Sequence, residues 1–157
     1  MIAWVGVRRM RALVRGEGGS ALVEMIWLSL ILLIPLVYIL FTLVVVQRSS
    51  YGVTEAARAA GRAYVLSTDP ATGRHRALLA AQVAMRDQGV SLPASDLQIL
   101  CHPTPSSCLQ PGSTVEVKIR YQVALPLLPA FFGHHPATIA VSARHVEPYG
   151  SYRDAGP

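Results

Sequence analysis

Residues Met25–Val46 read MIWLSLILLIPLVYILFTLVVV, 22 consecutive residues without a formal charge. Only Ser29, Pro35, Tyr38 and Thr42 interrupt the apolar run. About 20 apolar residues carry an α-helix across the hydrocarbon core of a bilayer. Ser and Thr hydroxyls bond back to helix carbonyls, and Pro is tolerated in membrane helices. The competing reading is a core helix of a soluble protein. A chain of 157 residues has little material with which to cover an all-apolar helix of this length. The stretch is therefore read as a membrane span.

The rest of the composition fits that reading. The chain is 52% hydrophobic and 15% charged, with a mean hydropathy of +0.38. So little charge excludes a disordered, charge-rich chain. The length is that of one domain. Two cysteines are too few for a disulfide scaffold or a four-cysteine zinc site. The formal net charge of +5 raises the question of nucleic acid, but the charge is not evenly spread. Arg8, Arg9, Arg11 and Arg15 lie before the span, with Glu17 the only acid there before Glu24. Beyond residue 19 the chain carries ten bases and eight acids, a net of +2. The basicity belongs mostly to a short leader, and no basic-aromatic stripe points to nucleic acid.

The arginine excess on the N-terminal side predicts a cytoplasmic N-terminus and an exterior C-terminal part. Arg48, Arg58 and Arg62 follow the span. A cleaved secretory signal has a shorter apolar core and a small-residue cleavage site after it. Val44-Val45-Val46-Gln47 is a poor site of that kind, so the span is expected to stay in place. Met10 begins a cleaner leader than Met1 does, and both are candidate starts.

Glu24 is the single charge once the apolar stretch is extended back to Ala21. A charge at a membrane centre costs roughly 2.5–3.5 kcal/mol on insertion scales, and less near an end. One reading makes Glu24 a helix-start residue, with Ser20 as N-cap and the macrodipole favouring the acid. A second reading takes in the whole string Gly19-Ser20-Ala21-Leu22-Val23-Glu24, placed between an arginine-rich leader and an apolar helix. This resembles the class III signal of type IV prepilins and pseudopilins. The resemblance implies that a membrane aspartyl prepilin peptidase cuts after Gly19, leaving Ser20 as the new N-terminus and Glu24 as its fifth residue. It also implies that the carboxylate of one subunit pairs with the free N-terminus of a neighbour during assembly. The new α-amino group has a pKa of roughly 7.7–8.0 and is cationic at neutral pH. A buried pair offsets part of the desolvation that each lone charge would suffer.

Gly-Ser-Ala-Leu-Val-Glu-Met, with Pro35 ten residues beyond Met25, is similar to the opening of TadE-like proteins. These are minor pseudopilins of tight-adherence (Flp-type) pilus systems, and their opening reads much like GSALVEFALVLP. Met25 stands where Phe is usual, and Pro35 falls later than the usual Pro. The motif resemblance covers roughly residues 16–65. The major Flp pilins are much shorter chains, so the length favours a minor subunit.

A helical pattern continues past the span. Arg48, Tyr51, Glu55, Arg58 and Arg62 form one polar stripe. Val53, Ala56, Ala57, Ala60 and Ala63 lie off it, and the small residues permit close approach. One helix is expected from about Ser20 to Leu66, roughly 70 Å long at 1.5 Å per residue, with Gly52 and Gly61 as weak points. Thr68–Gly73 is a loop by composition. Arg74–Gln88 reads as a second helix burying Leu78, Ala81, Ala84 and Met85, with Gly89 as its stop. Three strands are expected at Asp96–Cys101, Ser113–Ala124 and Ala137–Val146. In the second, Val115, Val117, Ile119, Tyr121 and Val123 alternate with Glu116, Lys118, Arg120 and Gln122, as in an antiparallel sheet with one wet face.

The expected architecture is therefore α+β. Residues 1–19 form a cytoplasmic leader, and 20–46 the transmembrane part of the first helix. Residues 47–147 form the exterior domain, with a second helix and a roughly three-stranded antiparallel sheet, and 148–157 a loose tail. Pilin-like proteins share this plan. In an exterior domain Cys101 and Cys108 are expected to form a disulfide, worth about 2–3 kcal/mol for so short a loop; two free thiols are the alternative. A metal site built from them with His102 has poor spacing. Leu125–Phe132, LPLLPAFF, covers the core, meets another subunit or dips into the membrane surface. His134-His135 reads as a solvated turn.

No nucleophile motif, phosphate loop or HExxH helix is present. Neither catalytic, cofactor-binding nor metal-binding residues are expected. The residues that carry function are the processing site Gly19 and Ser20, the assembly residue Glu24, and the disulfide candidates Cys101 and Cys108. Expected partners are the membrane, a prepilin peptidase, other pilin or pseudopilin subunits and the pilus assembly machinery, with no direct role for nucleic acid. The competing function is an uncleaved, single-pass anchored protein whose exterior domain binds a partner or ligand. The thirteen-to-one excess of Arg over Lys suggests a GC-rich genome.

Overall fold

The computed structural model describes residues 18–125 and 137–152. Two helices, α1 (Gly18–Val65) and α2 (Pro70–Asp87), precede three strands, β1 (Leu97–His102), β2 (Thr114–Ala124) and β3 (Thr138–Pro148). The strands form one antiparallel sheet in the order β1-β2-β3. The chain is thus α+β, with a long apolar N-terminal helix, a second helix and a three-stranded antiparallel sheet. It divides into two compact units between Phe41 and Thr42.

The first unit, as far as it is described, is the apolar opening of α1. The helix runs on through Pro35. In the second unit α1 shows the expected two-sidedness. Val53, Ala56, Ala57 and Ala60 are buried, while Arg48, Tyr51, Glu55, Arg58 and Arg62 face solvent. Gly52 and Gly61, expected as weak points of the helix, are also places of close approach. A Cβ on Gly61 would lie 3.2 Å from the His145 ring and 3.4 Å from the Glu147 Cβ. One on Gly52 would lie 3.2 Å from both Met85 Sδ and Gln88 Cγ. Each missing side chain lets α1 sit closer to β3 or to α2, which compensates the helix propensity lost at glycine.

The stretch expected as a loop, Thr68–Gly73, is mostly helix. Asp69 is the N-cap of α2, accepting at 3.0 Å from the Ala71 and Thr72 N–H groups, and Pro70 comes next at the first helical position. Both residues suit turns, but Asp then Pro is equally a helix start. Hydrogen bonds from Thr72 and Ala71 hold the Asp69 carboxyl below the ordinary aspartate range. Gly73 lies against the Tyr64 ring, 3.2 Å from where its Cβ would stand. The buried line of α2 is Gly73, Ala77, Ala81 and Met85, one residue per turn. Leu78 and Ala84, expected in the core, are half-buried. The helix ends in a Schellman motif, with Gly89 at φ +73° and bonds from Gly89 N–H to Arg86 O (2.8 Å) and Val90 N–H to Met85 O (3.0 Å). Arg48 donates to the Gln88 carbonyl at 3.1 Å, satisfying another C-terminal acceptor.

The alternation of β2 sends Val115, Val117, Ile119 and Val123 into a core shared with Tyr64, Met85 and Leu92. Each fully buried aliphatic side chain there contributes about 1.5–3 kcal/mol. The third strand outruns its expected end: Glu147 and Pro148 belong to β3, and Tyr149 is buried with its N–H bonded to Ser113 O at 2.8 Å. The region expected as a loose tail therefore starts as part of the sheet edge. At the other end of the β2–β3 connection, Leu125 N–H bonds to Ala137 O at 2.9 Å. The rest of the LPLLPAFF stretch and His134-His135 lie outside the described residues, as does the arginine leader.

Candidate processing and assembly segment

The candidate site is the opening of α1. The described part of the helix runs from Gly18, so Ser20 lies within it and not at its N-cap. Glu24 is the first acid of the described helix. Ser20 and Glu24 are four residues apart, on one face, and both are exposed. A peptide bond cut after Gly19 would place the new amino terminus one turn from Glu24 along the same helix.

Eighteen large apolar side chains between Leu22 and Val44 are solvent-facing in the isolated chain. The helix is long and apolar enough to cross a membrane, and its most apolar window is entirely unburied. The alternative of a soluble core helix requires protein around it, and none of the described residues supplies a cover. In water such a helix would leave most of its possible hydrophobic stabilisation unrealised.

Cys101 and Cys108 are joined, with a Cα–Cα distance of 5.0 Å. The disulfide links the end of β1 to the loop before β2. That loop is further held by Ser113, whose hydroxyl lies 2.9 Å from Cys108 O and 2.7 Å from Gln110 O and shares its one proton between them. No group of three or more metal-ligating side chains occurs among the described residues.

A second polar constellation was not singled out in the sequence. Glu116, expected on the wet face of β2, is buried with its side chain only 3% exposed. Lys118 Nζ is 3.1 Å from its Oε1 and the Arg144 guanidinium contacts the same oxygen, while His102 Nε2 is 3.2 Å from Oε2. Burial tends to raise the Glu116 pKa. The hydrogen bonds from Lys118 and His102 and the charge of Arg144 outweigh it and hold the carboxyl below its ordinary range. The signal available in sequence was the pair Glu116 and Lys118, two apart on one strand face. The register that adds His102 and Arg144 is not visible there. A further pair, His145 Nε2 and Glu147 Oε2 at 2.8 Å, lies on the opposite face beside Gly61.

Comparison with protein-family models, curated proteins and solved structures gives no match to this chain.

Proposed function

We propose that the protein is a minor pseudopilin of the TadE-like kind, a structural or assembly subunit of a tight-adherence (Flp-type) pilus and not an enzyme. In this reading a prepilin peptidase cuts after Gly19. The apolar part of α1 then holds the subunit in the cell membrane, with the N-terminus cytoplasmic and the α+β unit outside. The observation that carries the reading is the opening of α1. An uncovered apolar helix with one carboxylate, Glu24, one turn after a Gly-Ser bond, continues as the buried spine of a small α+β domain. The disulfide suits an exterior compartment. Glu24 is the docking residue: its lone carboxylate at the edge of the lipid is relieved by the amino terminus of a neighbouring subunit.

The deciding experiment is the mature N-terminus, read by mass spectrometry on protein from its native membrane. A chain starting at Ser20 is the expected result. An intact leader would favour the competing function, an uncleaved anchor whose exterior unit binds a partner or ligand.

A further inference from the structure

The outer face of the sheet presents an anion beneath and cations above. Along β2, Glu116, Lys118 and Arg120 alternate onto this face. The register sets Leu100 and Val146 on either side of Glu116, and Gln98 and Arg144 on either side of Lys118. Glu116 is buried, whereas Lys118, His102 and Arg144 are 36%, 56% and 65% exposed. The single carboxylate is thus spent on organising its neighbours, and solvent meets the cations. Lys118, Arg120 and Arg144 against Glu116 leave a formal excess of two positive charges. Leu100 and Val146 flank them as exposed apolar residues, 42% and 44% accessible. They stand about 10 Å apart across two strand spacings.

The geometry points to this face as a docking surface for an extended acidic segment of a partner protein, one that turns both acidic and apolar side chains toward the sheet by carrying them at every second position. Charge complementarity selects the occupant. A second copy of this chain is a poorer fit, since its described residues beyond Phe41 carry nine lysines and arginines against six acids. A lipid surface fits less well, because no Trp, Tyr or Phe stands on the outer face among the described residues and its large apolar residues are two separate spots. The cations steer the partner in a salt-sensitive way, and Leu100 and Val146 fix its register.

The test uses the full chain in phosphatidylcholine nanodiscs and a fluorescein-labelled peptide of repeating Glu-Ser-Val-Ser, which in extended form turns Glu and Val to one face, monitored by fluorescence anisotropy. The expected result is binding that weakens as salt rises from about 0.05 M to about 0.3 M, with the matching Lys-Ser-Val-Ser peptide not bound. Arg120→Glu, which leaves every contact of Glu116 in place, should weaken binding by roughly 5-fold or more. Arg76→Glu, on α2, should leave it unchanged. Equal loss in the two variants, or equal binding of the Lys-Ser-Val-Ser peptide, would overturn the assignment. So would absence of peptide binding, including the case where phosphatidylglycerol vesicles are bound instead in an Arg120-dependent way.

Discussion

Glu24 and Glu116 are two carboxylates in unlike positions with opposite consequences. Glu116 has its compensation within the chain, from Lys118, Arg144 and His102. Its pKa is depressed when folded, so its stabilising contribution is complete above the unfolded value of about 4.3 and is lost as pH falls through the folded one. Glu116→Gln should therefore lower the Tm of the exterior unit at neutral pH, and the gap to the parent chain should close as the pH drops. Circular dichroism melts of both chains in nanodiscs measure this; a gap independent of pH would remove the electrostatic account. Glu24, by contrast, is exposed, and in the pseudopilin reading its partner is the amino terminus of a neighbouring subunit. Under the pseudopilin reading Glu24→Gln is processed normally but assembles poorly. Pilus yield and leader removal, scored side by side by immunoblot, separate the two steps, and normal assembly would refute the pairing.

At the scale of elements, glycine is the residue whose meaning changed most between sequence and structure. Gly52 meets the flexible Met85 and Gln88 side chains, whereas Gly73 meets the rigid, fully buried Tyr64 ring. An alanine within a helix gains up to about 1 kcal/mol over glycine. Gly52→Ala should keep most of that gain, since Met and Gln side chains can shift by a few tenths of an ångström. Gly73→Ala should lose it to the clash and fall below the parent in its urea midpoint. The same measurement tests the loop between β1 and β2. The disulfide spans a sequence separation of 7, and a loop so short yields about 2–3 kcal/mol from restricting the unfolded chain. The double variant Cys101→Ala/Cys108→Ala should lose about that much. The helices and strands themselves were largely legible. The stripe of α1 and the alternation of β2 are periodic signals, and a buried face enforces the period. The start of α2 was misread because Asp and Pro serve both turns and helix caps. Packing of Gly73 against the Tyr64 ring, a contact between two separate helices, favours the cap.

For the whole molecule, the decisive contrast is between an apolar helix that none of the described residues covers and a compact α+β unit with its own core. The most apolar window of the first is wholly unburied among the described residues, and it is long and apolar enough to cross a membrane. Leader removal is the property of the whole chain that tests the proposal. Gly19→Val should retain the leader, seen as a larger mass, and should abolish assembly while leaving the exterior unit folded. A variant that is processed and assembled like the parent would end the cleavage proposal.

The long apolar helix, the lone Glu24 at its opening, the polar stripe of α1 and the three strands were decided by the sequence alone, because each rests on a local pattern of hydrophobicity or charge. The burial of Glu116, the close approach at Gly52, Gly61 and Gly73, and the extension of β3 to Pro148 were decided only by tertiary structure. Those depend on strand register and helix contact, which bring together residues far apart in the chain, such as His102, Glu116 and Arg144. No periodicity within a single segment encodes which residue of another segment will face it.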